Sequence, residues 1–181
     1  LANQNRIEEV RAYIDAIWNI QDEFDLKIHT GDSFLDVIVN YYLYLAQKEE
    51  IDFAVSGRLT GKTGLEMLDI TTLMANILQN AVEAAVQAAT PKIRLELIEH
   101  KKEIFIVVSN STVKKTDTGK GFLMTSKTDK ANHGFGLKNI AETVEKYHGE
   151  YYMESTAENG EAMFKISIAV PRNMLPEENR V

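Results

Sequence analysis

The chain has 181 residues, 44% of them hydrophobic, a formal net charge of −7 and no cysteine. That length supports one sizeable core with room for a helical appendage. A disulfide framework and a thiolate metal site are excluded, the lack of cysteine fits a reducing compartment, and the acidic balance argues against nucleic acid as a partner.

Residues 4–26 carry Ile7, Val10, Ile14, Ile17, Trp18 and Phe24 near helical spacing, with charges between them, and predict an amphipathic helix. Residues 28–31 form a break. Asp32 or Ser33 then caps a second helix bearing Phe34, Leu35, Val37, Ile38, Tyr41, Tyr42 and Leu45. Residues 51–56 alternate like a short strand and 57–64 read as loop. Asp69 is placed to cap a third, mostly apolar helix running to about Ala89 and stopped by Pro91. Strands follow at 92–99 and 103–109, joined by a turn at His100-Lys101-Lys102. Residues 110–132 are polar and aperiodic, a length of loop that belongs to lids and binding loops. Residues 134–147 predict a helix. Strands at 149–155 and 162–170 flank a turn at Glu158-Asn159-Gly160, and a tail begins at Pro171. Helices and a mostly antiparallel sheet in separate layers make a two-layer α/β sandwich.

No apolar run approaches the roughly 20 residues of a membrane helix, and no signal peptide is visible. No membrane contact by this chain is expected. Because it begins at Leu1 rather than Met, it reads as an excised fragment, with room for a membrane segment upstream.

On the third helix, Ile70, Leu73, Ile77, Ala81, Ala84 and Ala88 make an apolar face. Asn76, Asn80, Glu83 and Gln87 make a polar stripe at spacings of three and four. Both asparagine amides can therefore point at one ligand. The amide oxygen suits a hard cation, and the NH₂ can donate to phosphate. The same pattern also describes a solvated helix face; two mediocre helix formers are what set it apart. Farther on, Asn132-His133-Gly134-Phe135-Gly136-Leu137 precedes a helix. Its glycines allow close backbone approach, and the free N–H groups behind them suit phosphate. Ser126 and Lys127 stand in the loop before it. The motif at Asp117-Thr118-Gly119-Lys120-Gly121 lacks the spacing of a Walker loop.

Together these pieces resemble the GHKL (Bergerat-fold) ATP-binding catalytic domain of sensor histidine kinases. Residues 73–85 are similar to its N box, and residues 133–140 to its second glycine box. The nearest branch is the peptide-pheromone quorum-sensing kinases, through Thr125-Ser126-Lys127-Thr128-Asp129-Lys130 followed by His133-Gly134. Thr30-Gly31-Asp32, with Leu35-Asp36 and Asn40, resembles the opening of their catalytic domain.

The resemblance implies a cofactor-binding set of Asn76, Asn80, Asn110, Ser126, Lys127, His133, Gly134, Phe135, Gly136 and Leu137. It implies Asn76 and Asn80 as catalytic residues, and Asn80 as the Mg²⁺ ligand. The position of Asn76 is a water-activating glutamate in ATP-hydrolysing relatives. An amide has no such basicity, which favours transfer of the γ-phosphoryl group of ATP to a protein acceptor. The implied partners are ATP, a response regulator reached through the whole kinase, and a second copy in a homodimer. The implied setting is the cytoplasmic part of a membrane-bound bacterial sensor.

There are two departures from the family pattern. The adenine-reading aspartate is missing after Val108, where Ser109-Asn110-Ser111 stands, so either Asn110 with backbone or water contacts reads the base or Asp117 folds back to do so; the first is preferred, with reduced selectivity expected. Gln79 replaces a common aspartate, with an expected effect on the surroundings of the metal. None of His29, His100, His133 and His148 sits where a phosphoacceptor would, so the acceptor is expected outside this chain. Residues 1–27 would then be the second helix of a dimerisation hairpin, 28–170 the catalytic domain and 171–181 a tail. The competing readings are an ATPase or serine kinase on the same fold, and a degenerate nucleotide module used for docking.

Overall fold

The computed structural model describes residues 27–100, 102–113, 122–124, 135–158 and 161–172, with 122–124, 135, 136 and 158 described as backbone alone. Helix α1 (Ser33–Lys48) begins at the expected cap: the Asp32 carboxylate accepts from the N–H groups of Phe34 at 2.9 Å and Leu35 at 3.2 Å. Its other oxygen accepts from the N–H and hydroxyl of Thr63, at 2.7 and 3.0 Å. The buried Asn40 amide ties the chain entry to the middle of α1, accepting from the N–H groups of Lys27 and Ile28 and donating to the carbonyls of Ile28 and Asp36. Gly31 has φ +96°, and a Cβ there would lie 2.1 Å from the Leu59 carbonyl oxygen, so only glycine fits this turn.

Strand β1 (Asp52–Ser56) leads to helix α2 (Met67–Ala85), the hairpin β2 (Lys92–His100) and β3 (Glu103–Ser111), and the short β4 (Phe122–Met124). Helix α3 (Phe135–Lys146) and the strands β5 (Glu150–Glu158) and β6 (Glu161–Pro171) complete the described chain. The strands form one six-stranded sheet in the order β1-β2-β3-β6-β5-β4. Only the β1–β2 pair is parallel. The architecture is the two-layer α/β sandwich expected from the sequence. Among the described residues no helix is long and apolar enough to cross a membrane.

The sheet's period of two sets the core. Ile93, Leu95 and Leu97 of β2, Ile104, Ile106 and Val108 of β3, and Ile166, Ile168 and Val170 of β6 are buried beneath the helices. Above them α2 contacts both α1 and α3, burying Ile70, Leu73, Met74, Ile77 and Leu78 against the sheet.

Three boundaries differ from the sequence reading. Helix α2 starts at Met67 with Glu66 at the cap position, where it makes no side-chain capping bond. Asp69 is not the cap; it sits inside the first turn and turns toward α3, where a lysine and a tyrosine hold it. The helix ends at Ala85, and 86–90 form a turn. Strand β4 interrupts the predicted loop. Three residues cannot declare a strand by alternation, and this one exists through its pairing with Tyr151, Tyr152 and Met153 of β5. The predicted helix over 4–26, the Asp117 motif, the turn residues Asn159 and Gly160, and the tail from 173 lie outside the described residues.

Candidate nucleotide site

Helices α2 and α3 run antiparallel, and their facing sides change character along their length. At the start of α2, Asp69 receives hydrogen bonds from Lys146 Nζ at 2.5 Å and from the Tyr147 hydroxyl at 2.6 Å. Lys146 also donates to Glu66 at 3.2 Å, and the Glu66 N–H donates to the Tyr147 hydroxyl at 2.9 Å. These bonds to Asp69, and then to Glu66, hold the lysine pKa above its ordinary value of 10.5. Burial, and then the bond to Asp69, raise the tyrosine above 10.0. Four residues thus clasp one end of the helix pair.

About three turns farther along α2 the pair opens. Ala81 and Ala84 are too small to fill the gap, and a cavity of about 220 Å³ remains between α2, α3 and the sheet. Its floor is Val108, Phe164 and Ile166; its helical walls include Ile77, Leu137 and Ile140. Its polar side chains are Asn80, Asn110 and Thr112. Leu137 lies in the first turn of α3, so the open N–H end of that helix adjoins the cavity.

Of the residues expected from the sequence, Asn80, Asn110 and Leu137 come together here. Asn80 is exposed at the cavity wall. Asn76, one turn earlier, is half-buried, is not among the lining residues, and donates its NH₂ to the Thr72 carbonyl at 2.7 Å. The polar stripe divides between two sides of the helix. Glu83 and Gln87, with Gln79, line a separate groove against α1, beside Leu45, Glu49, Val82 and Val86. Gln79 donates to Glu83 at 2.6 Å, and its carbonyl oxygen lies 3.5 Å from the Tyr42 hydroxyl. Gln79 therefore belongs to the α1 side of the helix, not to the surroundings of Asn80. Phe135 and Gly136 open α3 by backbone; Ser126, Lys127, His133 and Gly134 lie outside the described residues.

Asn110 is the unexpected structural element among these. It continues the inward series Ile104, Ile106, Val108, so a polar side chain occupies a core-facing register between Ile93 and Phe164. It is 3% exposed, and its NH₂ donates to the Ser111 carbonyl at 2.9 Å. Sequence reasoning missed Thr112, Phe164 and Ile166 as lining residues. The period-two pattern marks Phe164 and Ile166 as inward-facing, but only the packing of the helices reveals that they border a cavity.

A metal centre built from carboxylates or histidines is not present: among the described residues no three His, Cys, Asp or Glu side chains are grouped to hold an ion. Mg²⁺ does not require one, since it retains waters and takes phosphate oxygens as ligands. A single amide oxygen such as that of Asn80 is compatible with that habit.

Comparison with known proteins agrees with this fold. The structure is similar to the catalytic domain of histidine kinase ThkA, with a TM-score of 0.58 at 16% identity over 77% of this chain and 91% of that one. It is similar to the mycobacterial sensor histidine kinase MprB, with a TM-score of 0.52 at 17% identity over 76% and 95%. Acinetobacter baumannii histidine kinase AdeS matches with a TM-score of 0.53 at 10% identity over 93% and 77%. At such identities these likenesses show the fold. No curated protein matches at a significant level. A family model described as GHKL domain matches residues 65–171, more than half of the chain and all three walls of the cavity, and the chain belongs to the GHKL family.

Proposed function

We propose that this chain is the ATP-binding catalytic domain of a two-component sensor histidine kinase of the peptide-pheromone quorum-sensing branch. It binds Mg²⁺ and ATP and passes the γ-phosphoryl group to a histidine that is not one of its own four. The observation that carries this reading is the cavity between α2 and α3, which brings Asn80, Asn110 and Leu137 onto one apolar floor. Its volume of about 220 Å³ suits one flat heteroaromatic ring, leaving the phosphates outside it near the start of α3.

Asn80 is the residue that would hold Mg²⁺ through its amide oxygen. Once bound, the ion neutralises charge on the phosphates during transfer. Asn76 is the nearest side chain one turn away, and as an amide it cannot take a proton from water, so hydrolysis lacks its base. Ser126, Lys127, His133, Gly134, Phe135 and Gly136 complete the phosphate side. Residues 28–170 form the catalytic domain, 171–181 its tail, and 1–27 the second helix of a dimerisation hairpin. The whole kinase is a homodimer that hands phosphate to a response regulator, with this domain in the cytoplasm beneath a membrane-bound sensor.

Calorimetric titration of the chain with Mg-ATP is expected to give one saturable site. No heat and no thermal shift at millimolar nucleotide overturn the reading. With labelled Mg-ATP, the chain alone is expected to retain no acid-labile phosphate; self-labelling places the acceptor within it. Steady release of inorganic phosphate by the wild-type chain supports an ATPase instead.

A further inference from the structure

Helix α2 carries a second concave surface, on the side opposite the nucleotide cavity. Gln79, Val82, Glu83, Val86 and Gln87 recur at helical spacing and, with Leu45 and Glu49 of α1, line a groove of about 560 Å³. None of them lines the nucleotide cavity. The floor is apolar: Leu45, Val82 and Val86, the last of them 45% exposed. Covering such a valine removes apolar area from water and favours whatever covers it. The ionisable residues of the groove, Glu49 and Glu83, are both acidic. The helices reinforce that sign. Glu49 is the C-cap of α1 and Val86 the C-cap of α2, so the negative ends of both helix dipoles meet at the groove. The last turn of α2 has no basic residue to offset its end. Lys48, in the last turn of α1, does not line the groove and lies over the Tyr44 ring, 4.3 Å from its centre.

We infer that the α1–α2 groove seats an amphipathic helix of a partner protein, one that presents an apolar stripe flanked by lysine or arginine. The apolar floor takes the stripe, and Glu49, Glu83 and the two helix ends take the cations. From Gln79 to Gln87 the groove follows α2 for about 12 Å, which matches two turns of an occupant helix. Charge decides between occupants. Residues 4–26 of this chain predict an amphipathic helix, but they carry two arginines against six carboxylates and would bring like charge to the groove. A second copy meeting the groove by a two-fold axis would set Glu49 and Glu83 against their own equivalents. A basic helix satisfies both the floor and the rim. Because the groove and the cavity share no lining residue, α2 can hold partner and nucleotide at once.

The probe is a fluorescein-labelled helical peptide with leucines spaced three and four apart and lysines on either side, titrated with the whole chain and followed by anisotropy. Its twin carries glutamate at every lysine position. The lysine peptide is expected to bind saturably and at least ~10-fold tighter than the twin. Glu83→Lys is expected to weaken it about 10-fold, and Val86→Ser about fivefold. Both positions are exposed, and the milder serine variant serves as the probe where the charge reversal disturbs the fold. Glu96→Lys, the same charge change on an exposed residue of β2, is expected to leave the affinity within about twofold of wild type. Equal losses in Glu83→Lys and Glu96→Lys overturn the proposal, since net charge alone would then explain the binding. So do a glutamate twin that binds as tightly and a lysine peptide that does not saturate. Val86→Cys, in a chain with no other thiol, accepts a photo-cross-linker that reports what covers the groove in the free protein. Attachment to residues 4–26, or to a second copy, assigns the groove to that occupant and overturns the proposal.

Discussion

The two ends of the α2–α3 pair are built from the same elements and do opposite things. At one end, Asp69 draws Lys146 and Tyr147 across the gap and closes it with charge-assisted hydrogen bonds. At the other, Ala81 and Ala84 leave the gap open, and the polar groups that face it, Asn80 and Asn110, are held by α2 and the sheet instead of by α3. Helix α3 is therefore fixed where it meets nothing but protein. It stands clear where a ligand would enter. A helix pair closed along its whole length would be more stable and would have no site, and one open throughout would leave the start of α3 unpositioned.

Filling the open end is expected to have the largest effect. Ala84→Leu places a branched side chain at the cavity wall and should weaken Mg-ATP binding by about 100-fold, or roughly 2.7 kcal/mol. Because Ala84 is only half-buried, the stability should change by less than about 1 kcal/mol. Calorimetry and a urea midpoint on the same variant separate the two effects. Asn80→Ala should follow, with about a tenfold loss in Mg-ATP affinity and a much smaller loss for ATP without metal. Undiminished Mg-ATP binding by this variant removes Asn80 from the site.

At the closed end the effects should invert. Tyr147→Phe removes the donor to Asp69 and the acceptor of the Glu66 N–H, and is expected to cost about 1–2 kcal/mol in urea unfolding. Its nucleotide affinity should stay within about twofold of wild type, since the clasp and the cavity share no residue. A large loss of affinity would mean that the clasp tunes the open end as well.

The smallest effect should appear in alkali. Lys146 and Tyr147 both have folded-state pKa values raised above 10.5 and 10.0, so their contribution is complete below those values and is lost as pH rises through the raised ones. The thermal midpoint of the wild-type chain should fall above about pH 10, and less steeply in Asp69→Asn, whose partners titrate nearer their ordinary range. Parallel curves for the two proteins would show that the clasp carries no proton linkage.

Much of this molecule is legible in one dimension because periodicity is local. The inward series of β2, β3 and β6 can be counted off the sequence, as can the apolar face of α2. Asp32 announces its cap by residue type and position, and it behaves accordingly. Asp69 offered the same local cue and was misread, because the competing partners Lys146 and Tyr147 lie nearly eighty residues away. Strand β4 failed for the same reason: an edge strand of three residues is specified by its neighbour β5.

The site divides along the same line. The sequence by itself determined that asparagines at 76 and 80 share a helix face, that glycines stand at the start of α3, and that a polar residue, Asn110, follows the apolar strand ending near Val108. Only the tertiary structure decided which of them face one cavity. It turned Gln79, Glu83 and Gln87 toward α1, left Asn80 at the gap, and set the buried Asn110 amide against the Ser111 carbonyl. Helical spacing fixes the angle of a side chain about its own axis, but what lies at that angle depends on which helices and strands the fold brings alongside.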